Sequence, residues 1–144
     1  MVQPVVAISS VLALDVGGKR VGLAVASLAA RLPQPLTTLI YDDKFYDSLT
    51  QIISTEAVTT LVVGFPRGLQ GQHTDQTVAI EAFAKQLAEK IALPIEFQDE
   101  ALTSKHAKAE LEARGKPYDK GDIDALAATY ILGDWLAEHQ EAVV

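Results

Sequence analysis

Residues 11–27 constrain this chain more than any other stretch. Two apolar runs, Val11–Leu14 and Val21–Ala26, flank a Gly17-Gly18 turn, the sequence form of a β-hairpin. No polar residue interrupts the first run, so its strand is expected to be covered on both faces. It ends at Asp15. A carboxylate at the lip of a buried strand costs free energy unless a cation or several donors meet it. Two readings stand side by side: Asp15 caps the turn through its own backbone, or it is a working acid. Gly17 and Gly18 leave its approach open, and Lys19 and Arg20 bring positive charge beside it.

Further along, Leu36–Ile40 suits a third strand after a loop from Arg31 to Pro35. Asp42 or Asp43 is placed to cap a helix with Phe45, Leu49, Ile52 and Ile53 on one face. Thr60–Phe65 is a second continuous apolar strand. After a polar Gly-containing loop, Thr74 or Asp75 opens an amphipathic helix with Ile80, Phe83, Leu87 and Ile91 in line. Pro94 ends it, and Ile95–Gln98 is a fifth strand. Thr103 or Ser104 starts a short helix that stops at Gly115. A basic loop over 114–121 precedes a last helix from about Ile123 to Glu138. Three strands in quick succession, then strands alternating with helices, predict an α/β fold. We expect one domain over residues 1–144, its core about 11–138, with a five-stranded mixed sheet: an antiparallel meander plus two parallel strands, helices on both faces. In such sheets sites lie beyond the carboxyl ends of the strands, where Asp15, the Gly64–Pro66 turn and Asp99-Glu100 fall.

Composition narrows the chemistry. With no Cys, the chain has no disulfide, thiolate nucleophile or Cys-based zinc site. No apolar run approaches the roughly 20 residues that span a bilayer, and the start lacks the pattern of a signal peptide, so a cytoplasmic protein with no membrane association is expected. The net charge of −7 argues against coating nucleic acid through bulk positive charge. After Lys120, however, the sequence holds Asp122, Asp124, Asp134, Glu138 and Glu141 and no Lys or Arg, which leaves the first 120 residues at only −2.

The acids at the strand ends are the chemical signal. Neighbouring strand residues face opposite ways, so only one of Asp99 and Glu100 can converge with Asp15; parity does not choose between them where regular pleating stops. On the last helix Asp124, Ala128, Ile131 and Trp135 share a face, which places Asp124 inward at the first turn. Asp122, roughly 200° around the helix, suits capping. Three converging carboxylates would repel one another and raise each other's pKa values. Hard divalent cations relieve that repulsion, and a pair of them can cleave a phosphodiester.

These residues fall into four blocks that together resemble the YqgF/RuvX family of the ribonuclease H-like superfamily. The first is Asp15-Val-Gly-Gly-Lys-Arg-Val-Gly-Leu-Ala24. The second is Val63-Gly-Phe-Pro66 with Gly71 and the Phe83-Ala-Lys-Gln-Leu87 helix. Asp99-Glu100 before Leu102-Thr103 is the third, and Lys120-Gly-Asp-Ile-Asp124-Ala-Leu-Ala-Ala128 the fourth. The resemblance covers about Leu12 to Leu136. It implies a ribonuclease H-like fold and a divalent-metal-dependent nuclease for 5′-end maturation of pre-16S ribosomal RNA, the family having earlier been proposed to resolve Holliday junctions. Asp15, Glu100 and Asp124 would then be the catalytic, metal-binding acids, holding Mg²⁺ or Mn²⁺, two ions in all. Asp99 and Asp122 are accessory candidates. Where the family usually carries Arg after its Asp-Glu pair, this chain has Ala101, and Arg67 or Lys105 would have to substitute. The resolvases' fourth acid, three residues before the helix Asp, is Gly121 here.

Cations complete the picture. Lys19, Arg20, Arg67, His73 and Lys105 are candidates for substrate phosphate, against the plainer reading of solvated side chains. Arg114, Lys116, Tyr118 and Lys120 form a basic-aromatic loop suited to single-stranded nucleic acid. His106 and His139 read as surface residues and Trp135 as core. The expected partner is RNA, with structured DNA the alternative. Two further readings are an ATP-binding phosphotransferase, which also opens with Asp-x-Gly on a first strand but is built from two such domains, and a non-catalytic nucleic-acid-binding module of an RNA-processing or transcription complex.

Overall fold

The structure, a computed structural model, describes residues 9–66, 74–100 and 103–140. Five strands, β1 (Ser10–Val16), β2 (Arg20–Ser27), β3 (Gln34–Ile40), β4 (Val58–Pro66) and β5 (Ile95–Glu100), form one sheet in the order β3-β2-β1-β4-β5. The first three make the antiparallel meander, and β4 and β5 add in parallel to β1. Four helices cover the sheet: α1 (Phe45–Thr55), α2 (Asp75–Lys90), α3 (Thr103–Arg114) and α4 (Lys120–Glu138). The predicted architecture is the observed one.

The unbroken apolar run of β1 has the predicted cause. Leu12 and Leu14 point into a core shared with Phe45, Leu49, Ile80, Phe83 and Leu87 of α1 and α2. Val11 and Ala13 point the other way, into a core with Ala128, Ile131, Leu132 and Trp135 of α4. All four β1 residues are fully buried. The α4 face is paved with small residues. At Gly64 a Cβ would stand 2.5 Å from Ile131 Cδ1, so Ile131 would have to shift to admit a side chain. The helix therefore lies close to the sheet. α3 packs on the outside of α4 through Ala107, Leu111, Leu126 and Ala127, and Gly115, at φ +70°, ends it.

Several boundaries differ from expectation. β3 begins at Gln34 and includes Pro35, tolerated because β3 is a sheet edge that needs no outward N–H. Lys44, not Asp42 or Asp43, occupies the N-cap of α1; Asp42 instead accepts from the Lys44 N–H at 3.0 Å, tightening the entry turn. Thr74 caps α2 as predicted, exchanging hydrogen bonds with Thr77. α4 starts at Lys120, three residues early, because Asp119 and Asp122 form a reciprocal capping box. Lys120 is thus helical rather than a loop residue. Among the described residues no helix is long and apolar enough to cross a membrane.

Candidate active site

Strand β1 continues past Asp15 to Val16, so this acid is a strand residue opposite Gly22 of β2 rather than the cap of the turn. The turn closes instead through the Gly17 N–H, which donates to the Arg20 carbonyl at 2.8 Å. Alternation along β1 puts Asp15 on the side of Val11 and Ala13, the α4 side.

β2 and β3 hold the start of α4 against that side. At Gly22 a Cβ would stand 2.1 Å from the Asp124 carbonyl oxygen and 2.8 Å from the Ala125 nitrogen. Only glycine lets the helix backbone rest on the strand here. One pleat away, Arg20 Nε donates to Asp124 Oδ2 at 2.7 Å. On β3, Thr38 Oγ1 donates to the Gly121 carbonyl at 2.7 Å. Asp124 is thereby fixed by its own backbone, its side chain and its neighbour. It sits close enough to Asp15 for the two charges to interact: burial first, and the Asp124 charge second, push the Asp15 carboxyl from its ordinary 3.8 up to about 6.

Asp99 and Glu100 face opposite sides of the sheet. β5 keeps its register with β4 through Phe65↔Asp99 and Pro66↔Glu100, so pleating does not stop before them. Glu96 and Gln98 face α4, where Glu96 accepts from Trp135 Nε1 at 3.0 Å and Gln98 donates to Glu138 at 2.8 Å. Glu100 shares their parity and is buried. Asp99 is exposed, as is Phe97 on the same side.

Asp15 and Glu100 are separated by β4, two strand spacings or roughly 10 Å across the sheet. Among the described residues no three His, Cys, Asp or Glu side chains stand close enough together to form a ready-made metal cage. The Asp15–Asp124 pair is brought together; Glu100 lies on the same face, farther along. Such a set of carboxylate oxygens suits a hard divalent cation completed by waters and substrate phosphates rather than by an all-protein cage.

The remaining candidates separate. Asp122 is occupied by the α4 cap, its N–H donating to Asp119 at 2.8 Å and its carboxylate accepting from the Asp119 N–H at 3.0 Å. Arg20 engages Asp124, so it is not simply a free phosphate cation. Lys19, Lys105, Lys116 and Lys120 are exposed. Arg114 pairs with Glu110, and the Tyr118 hydroxyl donates to Glu112 at 3.1 Å. Arg67, His73 and Ala101 lie outside the described residues. His106 is exposed as expected, but His139 is not a plain surface residue. It stacks on buried Trp135 at 4.1 Å, and its Nε2 lies 3.4 Å from Glu96. Sequence reading also missed the locating roles of Thr38 and Arg31. Arg31 donates to the Leu136 carbonyl at 2.6 Å at the other end of α4. Neither residue belongs to a motif, and no sequence signal marks either.

Comparison with known proteins identifies the family and the fold. The profile of the RuvX family, described as Holliday junction resolvase, matches residues 9–138. The chain belongs to the RuvX family. A relative from Synechocystis sp. is 37% identical over 129 residues, covering 87% of this chain and 85% of that protein, and is named "Putative pre-16S rRNA nuclease". A relative of the same name from Chloroflexus aggregans is also 37% identical, over 88% of this chain and 92% of its own. Among solved structures, Thermus thermophilus RuvC in complex with a Holliday junction substrate aligns with a TM-score of 0.52 at 16% identity, over 90% of this chain and 95% of that one. That likeness shows the shared fold.

Proposed function

We propose that this RuvX-family chain is a divalent-metal-dependent nuclease that hydrolyses RNA phosphodiester bonds, its biological substrate the 5′ end of pre-16S ribosomal RNA. The observation that carries the reading is the Asp15–Asp124 pair: two carboxylates within charge range of each other at one end of the sheet, where the backbone of α4 is seated on β2 at Gly22. A structural role would not need this. Mutual repulsion and burial destabilise the pair, and neighbouring cations or bound metal offset the charge. The names carried by the relatives supply the substrate class.

In this reading Asp15, Asp124 and Glu100 would hold two Mg²⁺ or Mn²⁺ ions. Bound there, the ions supply Lewis-acid stabilisation of charge on the phosphoryl oxygens and activation of the attacking water. The chain's own groups position and select. Gly22 seats α4, Arg20 fixes one oxygen of Asp124 and leaves the other available, and Gly17 and Gly18 keep side chains out of the approach. Lys19, exposed at the turn, offers charge to a phosphate.

Labelled RNA with a pre-16S 5′ extension, the matching DNA and a four-way DNA junction, each incubated with Mg²⁺, Mn²⁺ or EDTA, test the proposal. RNA cleavage that needs metal and is abolished in Asp15→Asn supports it. Metal-dependent cutting of the junction alone moves the substrate to DNA. Undiminished activity in Asp15→Asn refutes the acid assignment.

A further inference from the structure

Among the described residues, a concave site lies at the junction of α3 and α4. Leu111, Arg114, Lys116, Pro117, Tyr118 and Asp122 line a depression of about 250 Å³. Its chemistry is mixed in a particular way. Leu111 and Pro117 give it apolar wall, Arg114 and Lys116 give it positive charge, and Asp122 gives it an acceptor. Three of the chain's twelve Lys and Arg residues fall within 114–120, in a chain of net charge −7.

Tyr118 is built in rather than loosely attached. Its ring packs against the α3–α4 contact formed by Ala107, Leu111, Leu126 and Ala127. Its hydroxyl is tied to Glu112 at 3.1 Å. A ring packed on this contact and tied through its hydroxyl loses little further freedom when a flat ligand stacks on it, and aromatic surfaces of this kind bind bases whatever their sequence. Arg114 is oriented by Glu110, which also accepts from the Tyr130 hydroxyl of α4. The backbone of the pocket floor is fixed by the Asp119–Asp122 capping box.

Its position relates it to the acids. Asp122 and Asp124 are two residues apart on α4, close to opposite sides of a helix about 10–12 Å across. One side faces Asp15; the other faces this depression. We propose that the α3–α4 pocket binds one unpaired ribonucleotide of the substrate strand. The base lies on Tyr118 between Leu111 and Pro117, the flanking phosphates lie by Arg114 and Lys116, and Asp122 Oδ1, the oxygen the cap does not use, accepts from the ribose 2′-hydroxyl or an exocyclic amine. The inference deepens the nuclease reading and rests on its nucleic-acid substrate. It gives the acidic chain a local cationic, aromatic holdfast and selects single strand over duplex, since a base inside a duplex cannot reach a ring.

Binding is tested without cleavage, on the full chain in EDTA, by fluorescence anisotropy of a labelled ten-nucleotide RNA and of the same sequence annealed to its complement. Wild type is expected to favour the single strand about tenfold. Tyr118→Phe keeps the ring and should bind like wild type, whereas Tyr118→Leu should lose about tenfold, in line with one stacking contact. The double variant Arg114→Gln/Lys116→Glu, at exposed positions that do not threaten folding, should lower the salt dependence of single-strand binding by about 1–2 in log–log slope. Equal affinity for duplex and single strand, wild-type binding by Tyr118→Leu, or an unchanged salt slope in the double variant overturns the pocket. Failure of the nuclease reading shows separately, as absence of metal-dependent cleavage by wild type.

Discussion

Asp15→Asn is expected to make the metal-free protein more stable while ending its activity, and the size of the gain follows from the site. The Asp15 carboxyl is pushed from 3.8 to about 6 by burial and by Asp124. A folded-state pKa above the unfolded one means that the folded chain holds the proton more tightly. The stability linked to that proton is therefore fully present below about pH 3.8 and is lost as pH rises through about 6. At pH 8 the ionised side chain costs about 3 kcal/mol relative to its protonated form. An amide escapes that cost but brings its own burial penalty, so the net gain should be about 1–3 kcal/mol, a rise in Tm of roughly 3–10 °C. Urea denaturation of both proteins between pH 4 and pH 8, in EDTA, measures it. The variant should lead at pH 8, and its lead should vanish near pH 4. Saturating Mg²⁺ should then restore wild type by mass action and do less for the variant. A difference that stays constant with pH, or a variant less stable than wild type at pH 8, refutes the claim that these carboxylates are held in mutual opposition.

Four other outcomes follow from the packing. Gly22→Ala places a methyl 2.1 Å from the Asp124 carbonyl oxygen; lifting α4 off β2 should cost about 1–3 kcal/mol in denaturation and depress cleavage more than any loss of folded protein explains. Glu100→Gln should reduce metal-dependent cleavage at least tenfold, whereas exposed Asp99→Asn should leave it within about twofold; the reverse order in a cleavage assay would exchange their roles. Arg20→Met removes the cation from a partly buried carboxylate, so metal-free stability should drop by about 1 kcal/mol at pH 8, with Mg²⁺ recovering more of the loss than it gives wild type. Leu12→Ala, in the fully buried centre of β1, should cost about 2–5 kcal/mol in thermal or urea unfolding.

Much of this was legible in the residues because local rules and tertiary packing agreed. Continuous apolar runs in β1 and β4 announced strands buried on both faces. The stripe of Ala128, Ile131 and Trp135 announced a helix lying on a sheet. Boundaries failed where a neighbour overrode local preference. Asp119 could start α4 early because Asp122 was available to reciprocate. β5 could extend through Glu100 because β4 runs on beside it to Pro66. The same extension separated Glu100 from Asp99, a question that could not be resolved while the end of the pleat was unknown.

The sequence by itself determined the fold class and the order of elements and marked candidate acids, because alternation, helical periodicity and side-chain chemistry are properties of short segments. Only the tertiary structure decided which charges meet. Asp15 and Asp124 are 109 residues apart, and they face each other because β2 presents a bare glycine under one helix turn and an arginine one pleat away. Arg20, adjacent to the Gly-Gly turn, looked like a free cation, yet it reaches across to a carboxylate more than a hundred positions later. Such contacts depend on strand parity and helix seating together, which no local pattern records.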